Sequence, residues 1–151
     1  MIKNKFRKEK TIMKKMVKII ALAMVAVMLM LTLASCGAKP SSDPAKAKEK
    51  LEKEGYKVTL VENEDVLKLS GLDGLVAGIT AMKGDGEEEA QFVYIYYFKD
   101  SDSAKKAEEN DIIKAEIEVA KKAVKEEDAV STGRSGKIFW IGTKEAVKAA
   151  G

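Results

Sequence analysis

The segment Gln91 to Lys99 (QFVYIYYFK) limits the folds open to this chain more than any other. In an extended backbone Phe92, Tyr94, Tyr96 and Phe98 fall on one side, and Val93, Ile95 and Tyr97 on the other. A strand with one wet face alternates apolar with polar; this one is apolar on both sides, which marks a central strand with a cover over each face. The rest of the chain must supply the neighbouring strands and the covers.

A long helix beginning near Ser101 to Ser103 is suited to be one cover. Ile112, Ala115, Val119 and Ala123 form one stripe along it, and Ile113, Ile117, Ala120 and Val124 a second. Together they make a broad apolar face fit to lie across a sheet, with a break expected near Asn110-Asp111. A first helix spans 44–54: Asp43 caps it, Pro44 takes the first helical position, and Gly55 ends it. Tyr56 then falls where a Schellman motif sets its apolar contact with Leu51. Thr143 is expected to cap a final helix carrying Ala146, Val147 and Ala150.

Further strands read from period-two patterns. Tyr56 to Glu62 alternates Tyr56, Val58 and Leu60 with Lys57 and Thr59. Asn63 to Leu72 suggests one or two helical turns. Leu75 to Lys83 is a strand whose small residues, Ala77, Gly78 and Ala81, imply a close approach by another element. Gly84-Asp85-Gly86 is a hairpin loop flanked by Glu87 to Glu89, and a strand at Lys137 to Gly142 follows a loop at Ser131 to Gly136. The order α-β-(short α)-β-β-α-β-α defines an α+β domain with a four-stranded mixed or antiparallel sheet and a long helix on one face. Without its terminal helices it is the split βαββαβ of a ferredoxin-like fold. The first connection, Asn63 to Gly74, is barely long enough for a parallel crossover.

Charge divides the chain. Residues 1 to 35 carry eight Lys/Arg against one acid, Glu9, hence +7; the whole chain is +3, so residues 36 to 151 carry 3 − 7 = −4. The basic balance belongs to the leader and gives no reason to expect nucleic acid as a partner. Its basic start precedes an apolar run, Ile19 to Leu33, interrupted only by Thr32, and small residues follow: the layout of a secretory signal peptide. Met1, Met13 and Met16 are each compatible with the true start. A membrane-spanning helix needs about 20 apolar residues, more than this run holds.

The run ends in Leu33-Ala34-Ser35-Cys36, which resembles the lipobox of bacterial lipoprotein precursors: an aliphatic residue, two small residues and a cysteine. The resemblance covers residues 1 to 36. It implies that the Cys36 thiol receives a diacylglyceryl group, that a peptidase cuts after Ser35, and that the protein is anchored extracytoplasmically on the outer face of a bacterial membrane. Two acyl chains anchor stably where one does so only marginally. The expected organisation is a signal peptide at 1–35, the lipidated cysteine and a short tether at 36–42, and one α+β domain at 43–151.

The chain has no histidine and one cysteine. That excludes His-dependent nucleophilic catalysis, cysteine metal clusters and intramolecular disulfides. No catalytic set, no metal site and no cofactor is expected. Asp85 and Glu87 to Glu89 could offer oxygen ligands to a hard cation, but they lack the spacing of a calcium loop, and a solvated hairpin explains them more simply. Gly71 to Gly78 matches neither phosphate-binding glycine motif and leads into a strand, so it reads as turn and close packing. Ser131 to Gly136, with Arg134, could hold an anion on backbone N–H groups, although such composition is that of ordinary loops.

The aromatic stripe remains: Tyr94, Tyr96 and Phe98, with Trp140 alongside, could stack on a ligand, unless helices cover both sheet faces. The expected function is a non-enzymatic binding or interaction module held at the membrane, its ligand another envelope protein or a small molecule, with Tyr94, Tyr96 and Trp140 as binding residues. The alternatives are a carboxylate-dependent envelope enzyme, which needs two acids converging in a pocket, and a homo-oligomeric structural surface protein.

Overall fold

The computed structural model describes residues 38–84, 90–124 and 129–151. The leader, the lipobox residues Leu33, Ala34, Ser35 and Cys36, and the acidic run from Asp85 to Glu89 lie outside them.

The first helix, α1, is Pro44–Lys53, and local chemistry sets both of its ends. Asp43 Oδ1 accepts from the N–H of Ala45 at 2.9 Å and of Lys46 at 3.3 Å, satisfying orphan donors of the first turn. At the other end Gly55, at φ +86°, turns the chain left-handed. The Tyr56 N–H then reaches Leu51 O and the Gly55 N–H reaches Glu52 O, both at 3.0 Å: the paired bonds of a Schellman motif, with Leu51 and Tyr56 both buried in one cluster.

Next come β1 (Lys57–Val61), the short α2 (Glu64–Lys68), β2 (Leu75–Lys83) and β3 (Gln91–Phe98). The long helix is two: α3 (Ser101–Glu109) and α4 (Asp111–Ala123). They break at Asn110, whose extended backbone (ψ 134°) stops α3 and whose side chain accepts from the Ile112 N–H at 2.9 Å to start α4. The chain finishes with β4 (Val130–Ser135), β5 (Ile138–Thr143) and α5 (Lys144–Ala150).

The sheet has five strands in the order β1-β2-β3-β5-β4, every neighbouring pair antiparallel, with β3 at its centre. It is therefore not four-stranded, and it lacks the parallel neighbours of a ferredoxin-like βαββαβ unit. Two physical reasons account for the difference. The short link from β1 to β2 returns the chain to the adjacent antiparallel position. The residues Ser131 to Ser135, expected as a loop, form the edge strand β4; an edge strand faces water along one side and tolerates Ser, Thr, Gly and Arg. Gly133 is required there, because a Cβ would come within 2.4 Å of Trp140 Cζ2 on the paired strand.

Both sheet faces carry helices. Ala47 and Leu51 of α1 and Ala146, Val147 and Ala150 of α5 pack on Ile79, Val93, Ile95, Tyr97, Ile138 and Trp140. On the other face Ala104 and Ala107 of α3 and Ile113 and Ala120 of α4 pack on Phe92, Phe98, Phe139 and Ile141. Thr143 precedes α5 as expected but makes no side-chain cap. Its buried hydroxyl instead bonds the Phe92 backbone across the sheet, accepting at 3.3 Å and donating at 3.4 Å.

The compact unit begins at Ala38, so most of the expected tether lies on the domain. Pro40 is buried. The Ser41 N–H donates to Ala150 O at 2.9 Å, and the Tyr97 hydroxyl donates to Ser41 O at 3.0 Å. No helix among the described residues is long and apolar enough to cross a membrane.

Candidate functional site

Only one of the two stripes on α4 meets the sheet. Ile113 and Ala120 are buried, and Ile117 and Val124 pack beside them. The other stripe stays out: Val119 is 67% exposed and Ile112 46%, with Ala115 and Ala123 also exposed. The cause is sheet width. Helices α3 and α4 cover β3, β5 and β4, and β1 and β2 extend beyond them. On this side β1 and β2 present Lys57, Thr59 and Val61 opposite Met82, Thr80 and Gly78. Their alternate residues, Val58, Leu60, Ala77, Ile79 and Ala81, point into the opposite core.

The result is a shelf with one wall. A groove of about 520 Å³ runs between α4 and the sheet, with Met82, Phe92 and Tyr94 on its floor side and Ile112, Ala115, Val119 and Ala123 along the helix. Met82 keeps 51% of its surface exposed. No element closes over Gly78, where a Cβ would meet nothing within 4 Å, so the close approach expected at that glycine does not occur. The small side chains of Ala77 and Ala81 do face a packed core, on the other side.

Glu116 is the charged residue lining the groove. Its carboxylate accepts a hydrogen bond from the Tyr96 hydroxyl. Burial, first, then that bond and the charge of Glu116, and finally Tyr94, push the Tyr96 phenol well above its ordinary pKa. A proton held this firmly makes Tyr96 a fixed donor to Glu116 and no acid–base catalyst near neutral pH.

The expected aromatic trio is divided. Tyr94 and Tyr96 are half-buried on the α3–α4 face, Tyr94 lining the groove. Trp140 pairs with Ile95, not with its neighbours, and so lies in the opposite core under α1 and α5. Its Nε1 is buried with no hydrogen-bond partner among the described residues. It cannot stack on anything held by Tyr94. What the sequence reading missed is Val119, Ile112 and Met82; a stripe on a helix wider than its seat was the available signal.

The anion reading of Ser131 to Gly136 meets an extended ladder rather than a loop that gathers N–H groups. Arg134 Nε is paired with Glu108 Oε2 at 3.0 Å. A second cleft, about 560 Å³, is lined by Glu62, Glu64 and Asp73 with Lys68 and Lys99. The three carboxylates are exposed, and Glu64 faces Lys68 at 3.1 Å. No group of three or more potential metal ligands occurs among the described residues. Comparison with family models, curated proteins and solved structures returned no match.

Proposed function

We propose that this chain is a lipid-anchored extracytoplasmic binding module, and that its site takes an amphipathic helix of another envelope protein. The anchor is supported by the apolar run Ile19 to Leu33 and by Leu33-Ala34-Ser35-Cys36. The binding reading rests on one observation: an apolar stripe of α4 standing exposed beside a bare strip of sheet.

The dimensions favour a helix. Two strands span roughly 10 Å, the width of one helix with its side chains. The wall, α4, is 13 residues long, or about 20 Å. A helix laid beside α4 would complete the layer that α3 and α4 begin, burying Ile112, Val119 and Met82 through its own i, i+3, i+4 residues. The link after α2 meets the Ile112 end of the shelf, where a Cβ on Gly71 would come within 3.2 Å of Ile112 Cδ1. The shelf beside Val119 and Met82 is open, whereas sites for small ligands enclose most of the ligand's surface.

The test places a photo-crosslinking amino acid at position 119 of the full chain in its own cells. Cross-linking to a partner peptide with apolar residues at helical spacing, lost on Met82→Lys, supports the reading. A cross-link to position 119 or its surroundings in a second copy would make the shelf a self-association surface. A cross-linked small molecule, or no product at all, would refute the helix. Replacing Cys36 by Ala tests the anchor separately: acyl labelling and membrane retention should both be lost.

A further inference from the structure

We infer that the face around Lys39 and Lys137 rests on an anionic membrane surface, so that the groove opens away from the bilayer. The inference rests on lipidation of Cys36. Its own observations are where the chain joins the domain and what surrounds that point.

Lys39 is three residues from Cys36, a separation of about 11 Å at most in an extended chain. From Lys39 onward the strap is not free. Pro40 is buried, Ser41 is held by Ala150 and by the Tyr97 hydroxyl, and Asp43 caps α1. A lipidated Cys36 would therefore hold one particular corner of the domain at the headgroups. That corner carries Lys39 and Lys137 around a cleft of about 570 Å³ that no Asp or Glu lines; Gly151 also lines it, and its main-chain oxygen is taken by Lys50 Nζ. The nearest carboxylate on the strap, Asp43, is engaged in its helix cap. Lysines beside an anchor complement anionic lipid.

The groove lies on the other side, with its sheet floor toward the other end. On β3 the strap meets Tyr97, whose side chain points to the α1–α5 face, and the groove takes Phe92 and Tyr94 on the α3–α4 face. Phe92 and Tyr97 are about 17 Å apart along the strand. Turning the groove onto the bilayer would lift Lys39 by a sheet and a helix layer, roughly 15–20 Å. That exceeds the reach of three residues. The occupant of the groove accordingly arrives from the aqueous side, as a soluble protein or a projecting segment, and not as a bilayer lipid.

The test uses the full chain in its native membranes, to which a phospholipid bearing a maleimide headgroup is added. Lys137→Cys and Val119→Cys are compared; both positions are exposed, and a Cys36 lipidated through a thioether would offer no free thiol. Position 137 should couple to lipid several-fold more than position 119. Equal coupling, a preference for 119, or coupling at neither site in protein retained on the membrane would overturn the orientation. Protein that washes off the membrane and carries no acyl label would instead overturn the lipidation, and the orientation with it.

Discussion

Gly133 and Gly78 occupy the same sheet, and their local surroundings set opposite demands. A Cβ on Gly133 would meet the indole of Trp140 at 2.4 Å, within a packed core, whereas one on Gly78 would enter open space above the shelf. Gly133→Ala should therefore cost about 1–3 kcal/mol through overpacking. Gly78→Ala should be neutral or gain about 0.5 kcal/mol by lowering the entropy of the unfolded chain. Urea denaturation measures both, and for Gly133→Ala the emission of the chain's only tryptophan should shift as well. The tyrosines add a pH dependence. Tyr97, raised by burial and then by Asp43, and Tyr96, raised by burial and Glu116, keep their protons in the folded state beyond the ordinary tyrosine pKa of about 10. Below that pH both states are protonated and the contribution is complete. Above it the unfolded chain releases protons that the folded chain keeps, so stability falls as pH rises. A denaturation series across the alkaline range should show this fall, and Tyr96→Phe should reduce it.

Where an element's ends depend on a single side chain, the sequence was informative. Asp43, Pro44 and Gly55 bound α1 as expected, and the break at Asn110 falls where it was anticipated. Asn110→Ala should cost about 1 kcal/mol, since it removes the cap of α4, while Asn110→Gly should cost only a few tenths. Thermal unfolding of the two variants separates them. The central place of β3 was equally plain, because both of its faces are apolar and no edge position suits such a strand. Edge strand β4 was obscured by the same polarity that suits it to an edge. The groove was harder still. Two stripes of similar character run along α4, and nothing local distinguishes the one that meets the sheet. The choice follows from how many strands the helix pair can cover, which is a property of the assembled layer. Trp140 was misplaced for a related reason: its face depends on the register between β3 and β5, and no local pattern specifies that register.

At the scale of the whole molecule, the strap joins the beginning of the domain to its end. Ser41, early in the domain, donates to Ala150, the last residue of α5. If the strap is docked in solution as described, the Ser41 amide should exchange with deuterium far more slowly than a free chain allows. Tyr97→Phe, which removes the bond to Ser41 O, should speed that exchange while the amides of β3 stay protected. Random-coil exchange at Ser41 in the unaltered protein would mean that the strap is free, and the fixed orientation at the membrane would fail with it.

The same closure has a consequence in time. A ribosome makes Ser41 long before Ala150, and the central strand β3 stays without its neighbour β5 until nearly all of the chain exists. No early portion can complete the sheet or latch the strap, so the domain is committed to folding late, through contacts between distant parts of the chain. For a chain threaded through a membrane N-terminus first, that delay is useful. In such a chain the segment in transit would stay unfolded and passable, and the structure would close only once the final helix had crossed.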